Sequence, residues 1–414
     1  MEICEISEKI EKAGGKIYLV GGAVRDKLMN RVCQDKDYCV VGLSEEEFIN
    51  IFPNANIRGK SFKVFDIEGN EIALARKEQK NGKGHKEFEI ITDKNIKIEE
   101  DLFRRDVTIN SIAQEIKTGK LIDPFNGRND IKNRILRATS DKFSEDPLRV
   151  YRVARFAAIY EFSVENDTIE KMNKMKEDME NLSSERVYNE LKKALSSKKP
   201  SIFFNILRKA DVLDVHFKEI SNLIGVLQPV EYHPEGDAYE HTMLVLDRVS
   251  KVTDNIEVKF CALVHDLGKA LTPKEEYPHH YNHEKNGVYM VEQLGKKLKL
   301  PNLWVKSGKI SCLEHMRGGI FYKMRPEKKI QFIERVSKTK LGLKGLQIIV
   351  NADKSCNPKN IDELNNNNDF YKIGERCLNE ITGKQIVEKF SNINGKNIGI
   401  KLHQERIKWI KENY

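Results

Sequence analysis

KIYLVGGAVRDKLMNRVCQDKDYCVVG, residues 16–42, is the stretch on which the reading of this chain turns. It opens with a short apolar run, KIYLV, that reads as a strand; Gly21 and Gly22 end it, and AVRDKLMN continues with helical character. A strand that stops at two glycines and opens a helix leaves backbone N–H groups at the positive end of a helix dipole, where a phosphate can be held. Arg25, one turn into that helix, adds a charged fork for a triphosphate. About a dozen residues later, Asp35 and Asp37 lead into a second strand that runs to Val41. Two-residue spacing puts both carboxylates on one strand face, ~7 Å apart. That suits two Mg²⁺ ions that grip a triphosphate and activate an attacking hydroxyl. A DxD triplet alone marks a solvated turn more often than a metal site. Beside the glycine turn it reads as the palm of a nucleotidyltransferase.

Further along, residues 62–67 and 71–76 read as a hairpin around Glu68-Gly69-Asn70, with Glu71 facing the aspartates as a third ligand. DLFRRDVTIN (101–110) supplies Arg104, Arg105, Asp106 and Asn110. An Arg-Arg pair here contacts triphosphate or orders a loop over it; the bland alternative is a surface Arg–Asp ion pair worth little. The first ~125 residues are thus mixed α/β, and from Ser144 the periodicity turns helical and stays so. Softer joints fall near 137–143, at 226–237, and at 355–368, which reads as an exposed loop.

EDPLRVYRVARFAA (145–158) places Pro147 near a helix N-terminus, with Glu145 and Asp146 where the dipole favours acids. Asp146 and Arg149, three apart, are expected on one helix face, and Arg152 and Arg155 continue the stripe. A carboxylate beside a guanidinium matches the amino donor and ring-nitrogen acceptor that cytosine and adenine share. Uracil and guanine present the reverse order and would leave buried groups unpaired, at ~1–3 kcal/mol per lost bond. The pair can therefore select CTP and ATP without a template, with Arg152 and Arg155 on phosphate or ribose. The competing view is a salt-bridged helix whose apolar face simply packs.

HPEGDAYEHT (233–242) and VHDLGKALTP (264–273) form a second constellation. A metal can accept His265 and Asp266, with His241 from the preceding helix and Asp353 from a distant one; His279, His280, His283 and His315 are further donors for phosphate or a second ion. Imidazole with carboxylate suits Ni²⁺, Mn²⁺, Fe²⁺ or Zn²⁺ better than Mg²⁺ alone. An HD dipeptide is common by chance, yet six of the ten histidines fall between 233 and 283.

Composition bounds the rest. With 414 residues, 39% hydrophobic and 32% charged, the chain is an ordinary globular protein with room for two to four domains. No apolar run approaches the ~18 residues of a membrane span, and the acidic start MEICEISEKIEKAGGK is unlike a signal peptide. A cytoplasmic, membrane-free protein is expected. Seven scattered cysteines without a CxxC pair imply reduced, mostly buried thiols. The net charge of +8 fits a polyanion partner, but lysine-rich solvated faces are the commoner source of such a surplus.

LVGGAVRD, DKDYCVVG, ALARKEQKNGKG, DLFRRDVTIN, LIDPFNGRNDIKNRILR, EDPLRVYRVARFAA and ERVYNELKKAL follow one another as in class II CCA-adding enzymes and bacterial poly(A) polymerases. The chain resembles that family from about residue 16 almost to its C-terminus, and most of all its HD-bearing bacterial branch, the multifunctional CCA proteins. The resemblance implies an α+β fold: a mixed α/β nucleotidyltransferase palm (1–140), an all-α neck and body (141–225), an all-α HD domain (226–360) and a C-terminal helical segment (361–414). It also implies Mg²⁺ on Asp35 and Asp37, nucleotide on Gly22, Arg25, Arg105, Arg152 and Arg155, and Asp146 with Arg149 as the base-selecting pair. His241, His265, Asp266 and Asp353 match the HD phosphohydrolases, which in this branch use Ni²⁺ or another divalent transition metal on 2′,3′-cyclic phosphates, 2′-nucleotides and small phosphate esters. Expected partners are the tRNA acceptor stem and 3′ end, with CTP and ATP, in a monomer or homodimer. The leader of about 15 residues carries no readable motif. Rivals are a transferase restricted to A, to CC or to poly(A) synthesis, a signal-protein uridylyltransferase, and an RNA-binding scaffold with dead sites. The Gly/Lys-rich stretch 77–101 favours full CCA activity.

Overall fold

The computed structural model describes residues 1–33, 35–59, 63–80, 88–357, 369–390 and 395–414. The chain divides into two compact units, Met1–Leu182 and Ser183–Tyr414.

The first unit is built on a seven-stranded sheet in the order β3-β4-β5-β2-β1-β8-β9. Its strands are β1 (Lys16–Val20), β2 (Asp37–Val41), β3 (Asn56–Arg58), β4 (Val64–Ile67), β5 (Asn70–Leu74), β8 (Ala113–Glu115) and β9 (Leu121–Ile122); β6 (Arg76–Lys80) and β7 (Phe88–Thr92) form a separate two-stranded sheet. The period of two holds along β1: Ile17 and Leu19 join one apolar cluster, Tyr18 and Val20 the other. On the first face lie α1 (Ile3–Lys12) and α3 (Glu45–Ile51), which bury Ile6, Ile10 and Phe48 completely. Burial of Phe48 alone is worth about 1.5–3 kcal/mol. The unread leader is therefore a structural helix. The second face receives α4 (Ile98–Phe103) through Ile98 and Leu102. The expected hairpin forms as β4 and β5, antiparallel and slightly shorter than the sequence suggested. α2 (Gly22–Leu28) connects β1 to β2, and α5 (Gly127–Asn133) and α6 (Leu148–Tyr160) follow the last strand of the sheet.

The second unit is helical. The helix Ile256–Val264 is its axis, with every residue from Glu257 to Val264 buried, packed against Ala238–Val252 and Asn302–Gly319. Its two charged residues are buried with partners, Glu257 accepting from the Ser307 hydroxyl and Lys259 donating to the Ser197 carbonyl. Part of the anticipated loop 355–368, residues 358–368, and part of the stretch 77–101, residues 81–87, lie outside the described residues. All seven cysteines are free; five are buried, Cys4 is exposed and Cys33 half-buried. No helix among the described residues is long and apolar enough to cross a membrane.

Candidate functional site

β1 runs straight into the glycine turn. Gly21 adopts φ 66° and ψ −128° as the N-cap of α2, a backbone state open to glycine. Antiparallel register sets Val20 opposite Asp37, and parallel register sets Asp37 beside Glu71 on β5. Asp35, Asp37 and Glu71 are all solvent-exposed, Asp37 and Glu71 at the N-terminal ends of two interior strands. Asp37 therefore stands beside the glycine turn, while Asp35 lies two residues earlier in the chain, outside the strand on which both were expected. Glu71 lies 3.5 Å from Arg58, whose firmer partner is Asp66 at 2.6 Å.

The arginines converge on the same place. A Cβ on Gly21 would sit 2.7 Å from Arg105 Nη1, and one on Gly22 would sit 3.3 Å from Arg25 Nη2. Arg104 and Arg105 both pair with Asp101, at 2.6 and 2.9 Å, and that carboxylate is 1% exposed. This corrects the surface ion pair weighed above: the pair is anchored on a buried acid. Burial alone would raise the Asp101 pKa, but Arg105 and Arg104 hold it below the ordinary carboxylate value. Arg25 Nη1 donates to Asn110 Oδ1 at 2.5 Å, Asn110 Nδ2 to Asp106 Oδ1 at 2.9 Å, and Arg152 Nε to Asp106 Oδ2 at 2.8 Å. One polar chain thus links α2, the RRDVTIN segment and α6. Arg25, Arg152 and Arg155 all face the Phe156 ring, at 5.6, 5.4 and 4.2 Å from its centroid. Arg25 is buried, not an open fork, and its guanidinium also covers Tyr160.

Asp146 and Arg149 depart from the expected helix face. Asp146 is extended, at φ −124° and ψ 108°, and its Oδ1 accepts the Leu148 N–H at 3.0 Å. It caps the helix from outside. Arg149 is 8% exposed and donates to the main-chain carbonyls of Lys142 at 2.5 Å and Arg104 at 2.7 Å.

The histidine cluster lies in the second unit. His265 closes the helix Ile256–Val264, and Asp266 (φ −109°) lies in the break before a 3-10 turn, so the two side chains stand together instead of diverging around a helix. Asp266 is central. Its Oδ2 is 3.3 Å from His265 Nε2 and 3.5 Å from His241 Nε2; its Oδ1 is 3.3 Å from His315 Nε2 and 3.5 Å from His283 Nε2. Asp353, on the helix Gly342–Lys354, is 3.1 Å from His241 Nε2. Three groups of potential ligands result, His241–His265–Asp353, Asp266–His283–His315 and, on the Nδ1 side of His241, His233–Glu235–His241. The Lys269 ammonium lies 2.6 Å from Asp266 Oδ2.

These residues fit a divalent ion. The Nδ1 atoms of His265, His283 and His315 lie within 2.8 Å of the carbonyls of Ala262, His280 and Cys312, respectively, so each ring turns a bare Nε2 inward. His241 Nε2, His265 Nε2 and Asp266 Oδ1 are buried without a hydrogen-bond partner. Burial alone would lower the His241 pKa; the Asp353 and Glu235 carboxylates by themselves hold it well above the histidine value, so a cation would bind there in exchange for a proton. Burial pushes His283 down to about 4, leaving it neutral and able to ligate. Glu235, which sequence reasoning passed over, contacts His241 Nδ1 from the segment 226–237. That segment is no soft joint: Gln228 and Asn357 pin it.

Known proteins share this architecture. Residues 17–137 match the family described as the Poly A polymerase head domain, 161–224 that described as a probable RNA and SrmB-binding site of polymerase A, and 238–352 the HD domain. A multifunctional CCA protein of Mannheimia succiniciproducens is 43% identical over 331 residues, 77% of this chain and 78% of its own. One of Pseudoalteromonas atlantica is 46% identical over 294 residues, 69% and 72% of the two chains. Among solved structures, the Thermotoga maritima CCA-adding enzyme complexed with tRNA matches at TM-score 0.63 and 19% identity, covering 99% of this chain and 90% of that one. A CCA-adding enzyme in complex with CTP matches at TM-score 0.62 and 19% identity, covering 97% and 88%. At that identity these structures bear on the fold.

Proposed function

The chain belongs to the family of multifunctional CCA proteins, and from that membership we propose how its two sites divide the work. It is a tRNA nucleotidyltransferase that adds the 3′-terminal CCA from CTP and ATP, joined to an HD phosphohydrolase. In the first unit, Asp35 and Asp37 hold Mg²⁺, with Glu71 beside them. Bound there, the ions neutralise triphosphate charge and favour the deprotonated 3′-hydroxyl of the tRNA. The Gly21 N–H is held by the Ile112 carbonyl, so the Gly22 amide is the one that meets the phosphates, and Arg105, Arg25, Arg152 and Arg155 stabilise the departing diphosphate. Asp146 and Arg149 choose the base. The two carbonyls that grip Arg149 support this role, because a guanidinium held rigid discriminates better than a mobile one. The tRNA acceptor stem lies along residues 141–225.

In the second unit, His241, His265 and Asp353 hold one divalent ion and His283 and His315 a second, with Asp266 shared. Ni²⁺ or another transition ion suits this nitrogen-rich set and supplies an acidified water for phosphoester hydrolysis. Lys269 stands beside Asp266 to neutralise substrate phosphate. Substrates are 2′,3′-cyclic phosphates, 2′-nucleotides and small phosphate esters.

One observation carries the transferase reading: the register that sets Asp37 opposite Val20, the last residue before the glycine turn. A transcript lacking its CCA end, given CTP alone, ATP alone, or both, is expected to gain two, no and three nucleotides. Any other ladder would identify a restricted transferase. Asp37→Ala should lower incorporation by ~10³-fold or more while sparing phosphoester hydrolysis, and Asp266→Ala should do the reverse. Undiminished incorporation by Asp37→Ala would remove the mechanism.

A further inference from the structure

Resting on the phosphohydrolase reading, we propose that Glu235 is a positioning residue of the HD centre. Its carboxylate fixes His241 as the Nδ1–H tautomer and aims the Nε2 lone pair at the cation it shares with His265 and Asp353. Four histidines surround Asp266, and three of them place Nδ1 against main-chain carbonyls, at 2.7 Å to Ala262, 2.7 Å to His280 and 2.8 Å to Cys312. The acceptors of His265 and His315 belong to the helix that ends at or carries the ring, and that of His283 to the main chain just before its helix. His241 differs. It lies in the first turn of the helix Ala238–Val252, and its Nδ1 meets Glu235 Oε1 instead. It is thus the one member of the four, among the described residues, oriented by a replaceable side chain.

The segment bearing Glu235 is fixed from several directions. Gln228 N–H donates to the Gly236 carbonyl at 2.9 Å, and Asn357 Nδ2 donates to the Glu231 carbonyl at 2.7 Å. Gln228 Oε1 accepts from Lys269 Nζ at 2.6 Å, and that same ammonium reaches Asp266. Asp237 caps the following helix, accepting the Tyr239 N–H at 2.7 Å. His233 Nδ1 lies 3.3 Å from the same Glu235 oxygen, and its ring packs edge-on against that of His241 with centroids 4.6 Å apart. Glu235 is therefore held in one place by the loop around it, with a side chain only 11% exposed. A carboxylate acceptor on Nδ1 makes the opposite nitrogen a stronger donor and stops the ring from flipping.

Co²⁺ titration of the full-length chain tests this, using visible absorption and chelator competition. Glu235→Ala should bind Co²⁺ 10–100-fold more weakly, with a changed absorption envelope. Glu235→Gln, whose side-chain carbonyl still accepts the Nδ1–H, should recover most of the affinity and the native envelope, which also shows that the loop folds. Equal affinity for Glu235→Ala and the native chain overturns the inference, as does a Gln variant no better than Ala. Loss of one whole equivalent of Co²⁺ in both variants would make Glu235 a ligand of its own ion with His233, and overturns it too. A native chain that takes up no Co²⁺ instead overturns the phosphohydrolase reading, and this inference with it.

Discussion

Gly21 is a single residue whose replacement has a calculable consequence. Its φ of 66° with ψ −128° is strained for any other residue, at ~1–3 kcal/mol. The added Cβ would also press to 2.7 Å from Arg105 Nη1. Gly21→Ala should lower the melting temperature of the first unit and raise KM for CTP and ATP alike by about tenfold, the equivalent of ~1.4 kcal/mol. An unchanged KM for both nucleotides would separate Arg105 from the triphosphate. Arg149 predicts a different defect. Arg149→Ala removes the hydrogen bonds it donates to the Lys142 and Arg104 carbonyls, each worth ~1–3 kcal/mol if no water replaces it. Discrimination against UTP and GTP should fall more than the rate with CTP, as competition assays would read directly. The sequence made Gly21, Asp37 and Arg105 legible because strand period and turn chemistry are local. It carried a signal about Asp146 that the helix-face reading overlooked. A residue before proline is driven out of the α region, and Asp146 precedes Pro147, so it caps the helix instead of sharing its face.

Between elements, the HD turn shows what periodicity cannot reach. Adjacent residues on a continuous helix point about 100° apart, but the helix ends at Val264 and the break lets His265 and Asp266 both face one centre. That arrangement depends on a close approach: a Cβ on Gly268 would lie 1.9 Å from the His283 carbonyl oxygen and 2.4 Å from Gly287 N. Both obstacles are backbone, so nothing can swing aside. Gly268→Ala must force the turn away from the helix His283–Lys297, separating Asp266 from His283 and His315. Phosphoester hydrolysis should fall by at least ~10²-fold, in keeping with the cost of ~1 Å misplacement, while CCA addition continues. Hydrolysis within twofold of native would mean that the His283 side of the centre is dispensable. His241, His265, Asp266 and Asp353 were readable because HD spacing is a sequence pattern. Glu235 was not, because a loop residue meets its partner through turns that have no period. The leader helix was equally silent, since Ile6 and Ile10 acquire meaning only once the sheet they cover exists.

Across the whole molecule, each unit has its own core and its own chemistry, so each should answer its own stimulus. Acid addresses the first through Asp101 and Asp106, both held below the ordinary carboxylate value against burial, by Arg105 and Arg104 in one case and by Arg152 and Asn110 in the other. A depressed folded pKa contributes stability above the unfolded value of ~4, and that stability disappears as pH falls through it. Asp101→Asn should therefore melt lower than the native chain at pH 7, and the difference should shrink below pH 4. Divalent metal addresses the second. A ligand bound only by the folded state at a hundred times its dissociation constant adds ~2.7 kcal/mol. Hydrogen exchange with Ni²⁺ or Co²⁺ should accordingly slow in Ala238–Val252, Ile256–Val264 and Gly342–Lys354, the helices that carry or precede His241, His265 and Asp353. Mg²⁺ with CTP should instead protect β1, α2 and β2, which meet at the glycine turn and Asp37. If transition metal slowed exchange in the sheet as strongly as in those helices, the two activities would be coupled, and the separate losses expected of Asp37→Ala and Asp266→Ala could not both occur.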